Sequence, residues 1–120
     1  MSVWQAISGL FGSKGAHEAQ LRQAMAFAKE RRFKEALQIY NSLVASAKVN
    51  ADIKAQALFN RALAHSAERR HKEAQLDLER IVADPAAPAN VQSAARLRLQ
   101  RVKTKSERGG KSSPDDGGIE

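Results

Sequence analysis

An all-α protein made of repeated antiparallel helix pairs, about five helices in all, is what this sequence predicts. Three observations predict it. The seven glycines stand at positions 9, 12, 15, 109, 110, 117 and 118, so residues 16–108 contain none. That stretch is rich in Ala, Leu, Gln, Glu, Lys and Arg, which lose little on entering a helix. β-Branched residues are sparse there and do not alternate with polar ones, so no strand is expected. The third observation is a repeat. Glu30-Arg31-Arg32-Phe33-Lys34-Glu35-Ala36 recurs as Glu68-Arg69-Arg70-His71-Lys72-Glu73-Ala74, at an offset of 38. Positions 24–45 and 62–83 share ten identities among 22 aligned places, more than common composition supplies. A period of this length points to stacked units, none of which buries its apolar face alone.

The elements follow in order. Residues 1–15 form a separate N-terminal segment. Ser2 caps a short helix with Val3, Trp4, Ile7, Leu10 and Phe11 on one apolar face, and Gly12-Ser13-Lys14-Gly15 acts as a flexible joint. The repeat domain spans 16–105. Its first unit, about 17–50, opens with a helix bearing Leu21, Ala24, Met25 and Ala28 on one stripe. After Glu30-Arg31-Arg32 a second helix carries Phe33, Ala36, Leu37, Tyr40, Leu43 and Val44 at spacings of three and four. The second unit, about 55–88, has Leu58, Ala62 and His65 on its first helix and Ala74, Leu78, Ile81 and Val82 on its second. Asp84-Pro85 ends that helix, and Asn90 is the expected N-cap of a capping helix, about 90–105, with Val91, Ala94, Ala95, Leu97 and Leu99. Residues 106–120 read as a disordered tail, because Gly, Ser, Pro and Asp cannot bury enough apolar surface to offset ordering entropy.

These residues resemble the tetratricopeptide repeat (TPR) family. Its unit places a small residue midway in the first helix and an aromatic three residues later. A second aromatic opens the next helix, followed by Ala three residues on and a large apolar residue four after that. Ala24, Phe27, Phe33, Ala36 and Tyr40 match in the first unit, and Ala62, His65, His71, Ala74 and Leu78 in the second. Asp84-Pro85 stands near the family's closing proline. The resemblance covers about residues 16–89. It departs in its period of 38 rather than 34, in two histidines at aromatic places, and in Gln20 and Leu58 where a Trp is usual.

A stack of this kind has a concave surface lined by the first helix of each pair. Leu21, Arg22, Met25 and Lys29 from one unit, with Phe59, Asn60, Leu63 and Ser66 from the next, are the expected groove for an extended or helical peptide. The competing reading makes Leu21, Met25, Phe59 and Leu63 additional core. Asn60 matches the asparagine of the clamp by which some TPR domains hold chaperone carboxylate tails. The other clamp positions carry Leu21, Met25, Gln92 and Arg96, so that ligand is not expected. The apolar face of the N-terminal segment is a candidate cover for the groove, or alternatively a structural cap or a docking element.

Charge supplies a second surface. The net +7 is uneven: residues 91–111 hold seven bases against Glu107 alone. Arg31, Arg32, Lys34, Arg69, Arg70, Lys72, Arg101 and Lys103 are expected to align as a basic edge at the ends of the first helices. Such an edge attracts an acidic protein, an anionic surface or nucleic acid. Nucleic acid ranks lower because stacking aromatics are missing beside these charges, Phe33 excepted. Zero cysteines exclude disulfides and thiolate sites. His17, His65 and His71 have no ligand spacing, and no nucleophile–base set emerges, so neither metal, cofactor nor catalysis is expected. Residues 1–15 make a poor secretory leader and no apolar run reaches bilayer length. The expectation is a cytoplasmic adaptor for a peptide or protein, with polyanion binding or homodimerisation as alternatives.

Overall fold

The computed structural model describes the backbone of residues 3–111 and the side-chain surroundings of residues 15–105. It contains five helices: α1 (Val3–Lys29), α2 (Phe33–Ala45), α3 (Ala51–Ala67), α4 (His71–Ala83) and α5 (Ala89–Lys111). No strand occurs among the described residues. Each helix packs on the next in the chain, and the first helices of successive units also touch, α1 on α3 and α3 on α5. The fold is an all-α stack of helix pairs. Among the described residues no helix is long and apolar enough to cross a membrane.

The offset of 38 governs more of the chain than the sequence match revealed. Phe33 and His71 start the second helices, and Ala51 and Ala89 start the following first helices, each pair 38 apart. The loops correspond as well. Ser46 Oγ accepts from the Lys48 amide at 3.1 Å, and Asp84 Oδ1 accepts from the Ala86 amide at 2.9 Å. Val49 and Ala87 then bury themselves at equivalent places. α5 is therefore the first helix of a third unit.

The two tight turns are the same hydrogen-bonded device. Arg32 N–H donates to Phe27 O at 2.8 Å and Arg31 N–H to Ala28 O at 2.9 Å. Arg70 N–H donates to His65 O at 2.8 Å and Arg69 N–H to Ser66 O at 3.0 Å. This is the Schellman pattern, which satisfies the last carbonyls of a helix by placing one residue in the left-handed region. Here that residue is arginine, with φ of 63° at Arg31 and 65° at Arg69. Glycine would adopt this conformation more readily.

The core is made chiefly of small side chains. Ala24, Ala36, Ala57, Ala62, Ala64, Ala74 and Ala95 are all buried, with Tyr40, Leu43, Ile53, Leu78 and Ile81 filling the spaces between helix pairs. Alanine at these positions permits close helix approach, and the larger residues occupy one place per turn on α2 and α4.

Several expectations need correction. α1 continues without a break through Gly12-Ser13-Lys14-Gly15, so the backbone there is helical rather than a joint. No proline interrupts it, and an isolated helical glycine costs only about 1 kcal/mol relative to alanine. The apolar face of residues 3–11 and the cover it was expected to provide lie outside the residues whose side chains are described. α5 starts at Ala89 and runs to Lys111, beyond the expected end, while residues 112–120 lie outside the described chain. Asn90 is not its cap. Gln92 instead closes the preceding helix, because its Nε2 donates to Asp84 O at 2.6 Å and satisfies a carbonyl where α4 ends. Leu97, expected on the apolar face of this helix, is 56% exposed.

The alanine seam generates a direct test. Ala62→Leu inserts three carbon atoms where exposure is 1%, and overpacking of this kind costs about 1–3 kcal/mol. Circular dichroism melts should show a clear loss of stability, whereas the same change at exposed Ala47 should leave the melt unchanged.

Candidate functional site: a cationic groove across α1, α3 and α5

The first helices α1, α3 and α5 lie side by side and leave a series of clefts along one face. One, of about 630 Å³, separates α1 from α3 and is lined by Arg22, Met25, Lys29, Phe33, Tyr40, Asn60 and Leu63 among others. A second, of about 530 Å³, holds Met25, Phe59 and Asn60 together with Asp52, Val91 and Ala94. Met25 and Asn60 line both, so the two clefts are continuous. The third, about 280 Å³, lies where the last turn of α3 meets α5 and is lined by Ser66, Arg98, Arg101, Val102, Thr104 and Lys105.

Six of the eight expected groove residues are brought together in the first two clefts. The other two are corrected. Leu21 is only 5% exposed and belongs to the core. The competing core reading therefore holds for this residue. Ser66 lines the third cleft instead. Met25 is 42% exposed and gives the groove an open apolar side chain, while Phe59 and Leu63 are half-buried. Asn60 Nδ2 donates to Gln56 O at 2.8 Å within its own helix, leaving its amide oxygen as the group to face a ligand.

The repeat explains the groove's electrostatics. Positions 22, 60 and 98 are equivalent and carry Arg, Asn and Arg; positions 25, 63 and 101 carry Met, Leu and Arg; positions 29, 67 and 105 carry Lys, Ala and Lys. The outer two helices thus present cations on either side of the polar and apolar stripe of α3. Asp52 is the only described carboxylate lining any of the three clefts. The ion pairs among the described residues engage Arg32 and Arg61, none of these groove cations.

The expected basic edge divides differently. Arg31, Arg32, Lys34, Arg69, Arg70, Lys72, Arg101 and Lys103 are all exposed. In the first turn the charge is spent locally. The Arg32 guanidinium lies 4.6 Å from the Phe27 ring centroid, and Arg31 lies 5.2 Å from that of Phe33. Arg32 also pairs with Glu35 at 3.0 Å. The Glu35 carboxyl is held below its ordinary pKa, first by a backbone hydrogen bond and then by Arg32. Arg31 and Arg32 are therefore turn-builders more than free ligands. Arg101 belongs to the third cleft rather than to a continuous ridge, and Lys103 lines none of the clefts.

The second turn replaces both rings with histidine, and a polar network that sequence reasoning missed stands behind it. Arg61 donates to Asp77 through Nε at 2.9 Å and Nη2 at 2.7 Å, and through Nη1 to Asn41 Oδ1 at 2.9 Å. Asp77 is buried, and the network ties α2, α3 and α4 together. In the first unit the equivalent residues are Gln23 and Ile39. The only sequence signal was that break in the repeat, an acid where the earlier unit has an apolar residue. His65, beside this network, has its pKa lowered, mainly by burial and also by Arg61 and Arg70, against the opposing pull of Asp77 and Glu73. His65 Nδ1 and His71 Nδ1 are buried without hydrogen-bond partners. Both side chains are half-buried, at the end of α3 and the start of α4. Among the described residues no cluster of three or more His, Cys, Asp or Glu stands together as a metal site. No family model, curated protein or solved structure matches the chain.

The network can be probed by breaking it and by replacing it. Asp77→Ala strands the Arg61 guanidinium in a half-buried place and should cost about 3 kcal/mol in a chemical denaturation experiment. Installing the first unit's residues, Arg61→Gln with Asp77→Ile, should recover most of that loss. The depressed His65 pKa means that the unfolded chain binds the proton more readily. Its contribution is fully present above the unfolded-state pKa and is lost as pH falls through that value toward the folded one. His65→Phe should flatten the stability profile between about pH 5 and 7, the window set by the ordinary histidine pKa.

Proposed function

We propose that this chain is a divergent TPR-like binding module that captures a peptide along the groove of α1, α3 and α5. The observation that carries the reading is the groove's composition. Apolar Met25, Phe59 and Leu63 form its centre, and Arg22, Lys29, Arg98, Arg101 and Lys105 border it without a described carboxylate partner. A partner that fits offers one or two apolar anchors flanked by Asp or Glu. Anchors in pockets provide most of the affinity of such interfaces, and complementary charge raises the association rate and fixes register. Reversible capture requires no chemistry from the module, in keeping with the expectation that it is not an enzyme.

Polyanion binding along the turns draws less support, since Arg31 and Arg32 are already covered by Phe33, Phe27 and Glu35. Beside the α5 cations Arg98, Arg101 and Lys105 no described aromatic lines the cleft, so a stacking platform is missing there.

Selection from a displayed peptide library against the full chain tests the proposal. Enriched sequences should combine a Leu, Met or Phe anchor with neighbouring acids. Leu63→Glu should weaken the selected peptide at least about tenfold, by burying a like-charged group against the anchor and its acids, while leaving the thermal melt intact. Failure to enrich any sequence, or unchanged affinity in Leu63→Glu, would remove the groove as the binding surface.

A further inference from the structure

The cleft between the end of α3 and the middle of α5 has chemistry that peptide capture alone does not require. Arg98, Arg101 and Lys105 follow one another at spacings of three and four along α5 and all line this one cleft. Like charges so spaced destabilise a helix by about 0.2–0.5 kcal/mol per pair. Among the described residues the ordinary compensations are missing. α5 continues to Lys111, so Arg98 and Arg101 stand well inside the helix, where its terminal dipole gives them little. No described carboxylate lines the cleft or pairs with any of the three. The neighbouring stripe of buried Ala95 and Val102 and half-buried Leu99 already secures α5 to the stack, so the cations are not needed for packing.

A second observation lies on the opposite wall. Ser66, which lines the same cleft, carries a buried hydroxyl with no hydrogen-bond partner. The turn does not demand a hydroxyl there, since the equivalent residue of the first unit is Ala28. A buried hydroxyl without a partner costs stability, and here it stands at the wall of a cleft with three cations that no described carboxylate pairs.

We infer that this cleft is a phosphoryl-binding subsite, which takes the phosphate of a phosphorylated serine or threonine in a peptide held by the groove. Three cations exceed what a single carboxylate neutralises, whereas a phosphomonoester brings nearly two negative charges and three acceptor oxygens. Arginine's planar fork matches phosphate bidentately. The cleft's volume of about 280 Å³ suits one such group with its side chain. A nucleic-acid backbone needs a longer track of cations than this. The subsite begins one helical turn past Leu63 on α3, so a peptide anchored at Leu63 reaches it within a few residues. The link to a peptide rests on the function proposed above; the phosphoryl site itself does not.

Titration of the isotopically labelled full chain with N-acetyl-O-phosphoserine amide, followed by NMR, tests the site without any groove peptide. Saturable shifts should centre on Ser66, Arg98, Arg101, Val102 and Lys105. Inorganic phosphate should give the same pattern more weakly if the serine side chain contributes, and N-acetylglutamate amide should give little. Arg101→Gln should weaken binding about tenfold, the loss expected for one charge-assisted contact. Lys103→Gln, off the stripe, should leave it unchanged. Both variants remove an exposed charge and should keep the native spectrum. Shifts spread equally over Arg31, Arg69 and Lys72 would reveal general charge attraction and overturn the site. An equal response to N-acetylglutamate amide would overturn the choice of phosphoryl group. Phosphoserine binding that survives in Leu63→Glu separates this site from the groove: it stands even where peptide capture fails. Linking the two requires that phosphorylating a library-selected peptide tighten its binding and that Arg101→Gln abolish the gain; no gain would sever the site from the groove.

Discussion

Close approach of helices through alanine is the constraint on which the structure depends. With aromatic residues at 5% of the chain, there are few large rings to fill wide spaces between helices. The answer is to remove the spaces. Ala24 and Ala62 on the first helices, Ala36 and Ala74 on the second, are all at 1% exposure or less. Interiors pack at crystal-like density, so each small residue fixes the distance at which its partner helix must sit. That spacing sets how α1, α3 and α5 line up, and therefore sets the width of the clefts between them.

The two complete units solve the same packing problem with different chemistry. The first turn uses phenylalanine rings under arginine guanidinium groups, a largely apolar solution. The second uses histidine rings beside a buried Arg61–Asp77 pair. Replacing buried ion pairs by apolar residues is often neutral or stabilising, so such pairs are poorly explained by stability alone. A cost in stability is tolerable where the network orients something, and Arg61 reaches from α3 to α2 and α4 while sharing its helix with Asn60 and Leu63. The groove's central helix is thereby held by directional bonds to the helices on both sides of it, α2 and α4.

Much of the fold was legible because the sequence states it twice. Helix starts at Phe33 and His71, the turn arginines and the buried alanines all follow from the repeated segment. What escaped was what occurs once. Asp77 looks like an ordinary acidic surface residue until its partner sixteen positions earlier is placed against it in space. The groove was partly legible, since Arg22, Met25, Asn60 and Leu63 follow from helical periodicity. Leu21 did not, because it lies only about 40° around the helix from the groove residue Met25, and the hydropathy of leucine suits core and groove alike. The extension of the repeat into α5 was hidden by side-chain change at equivalent places, with Arg98 and Arg101 where Asn60 and Leu63 stand. Only backbone position reveals that these are the same site on successive helices.

The arginine turns also decide how the stack meets a protease. Arg31-Arg32 and Arg69-Arg70 are exposed dibasic pairs, an obvious target for a trypsin-like enzyme by sequence. Such an enzyme must draw several residues around the cleaved bond into an extended strand. Here the pair is bound into a left-handed turn whose amides are tied to Phe27 and Ala28, or to His65 and Ser66. Cleavage therefore has to wait for the turn to open, and opening one turn need not open the other in a quasi-one-dimensional stack. Each unit thus contains its own cleavable reporter of local unfolding, and the relative rates at the two pairs measure which half of the molecule loosens first.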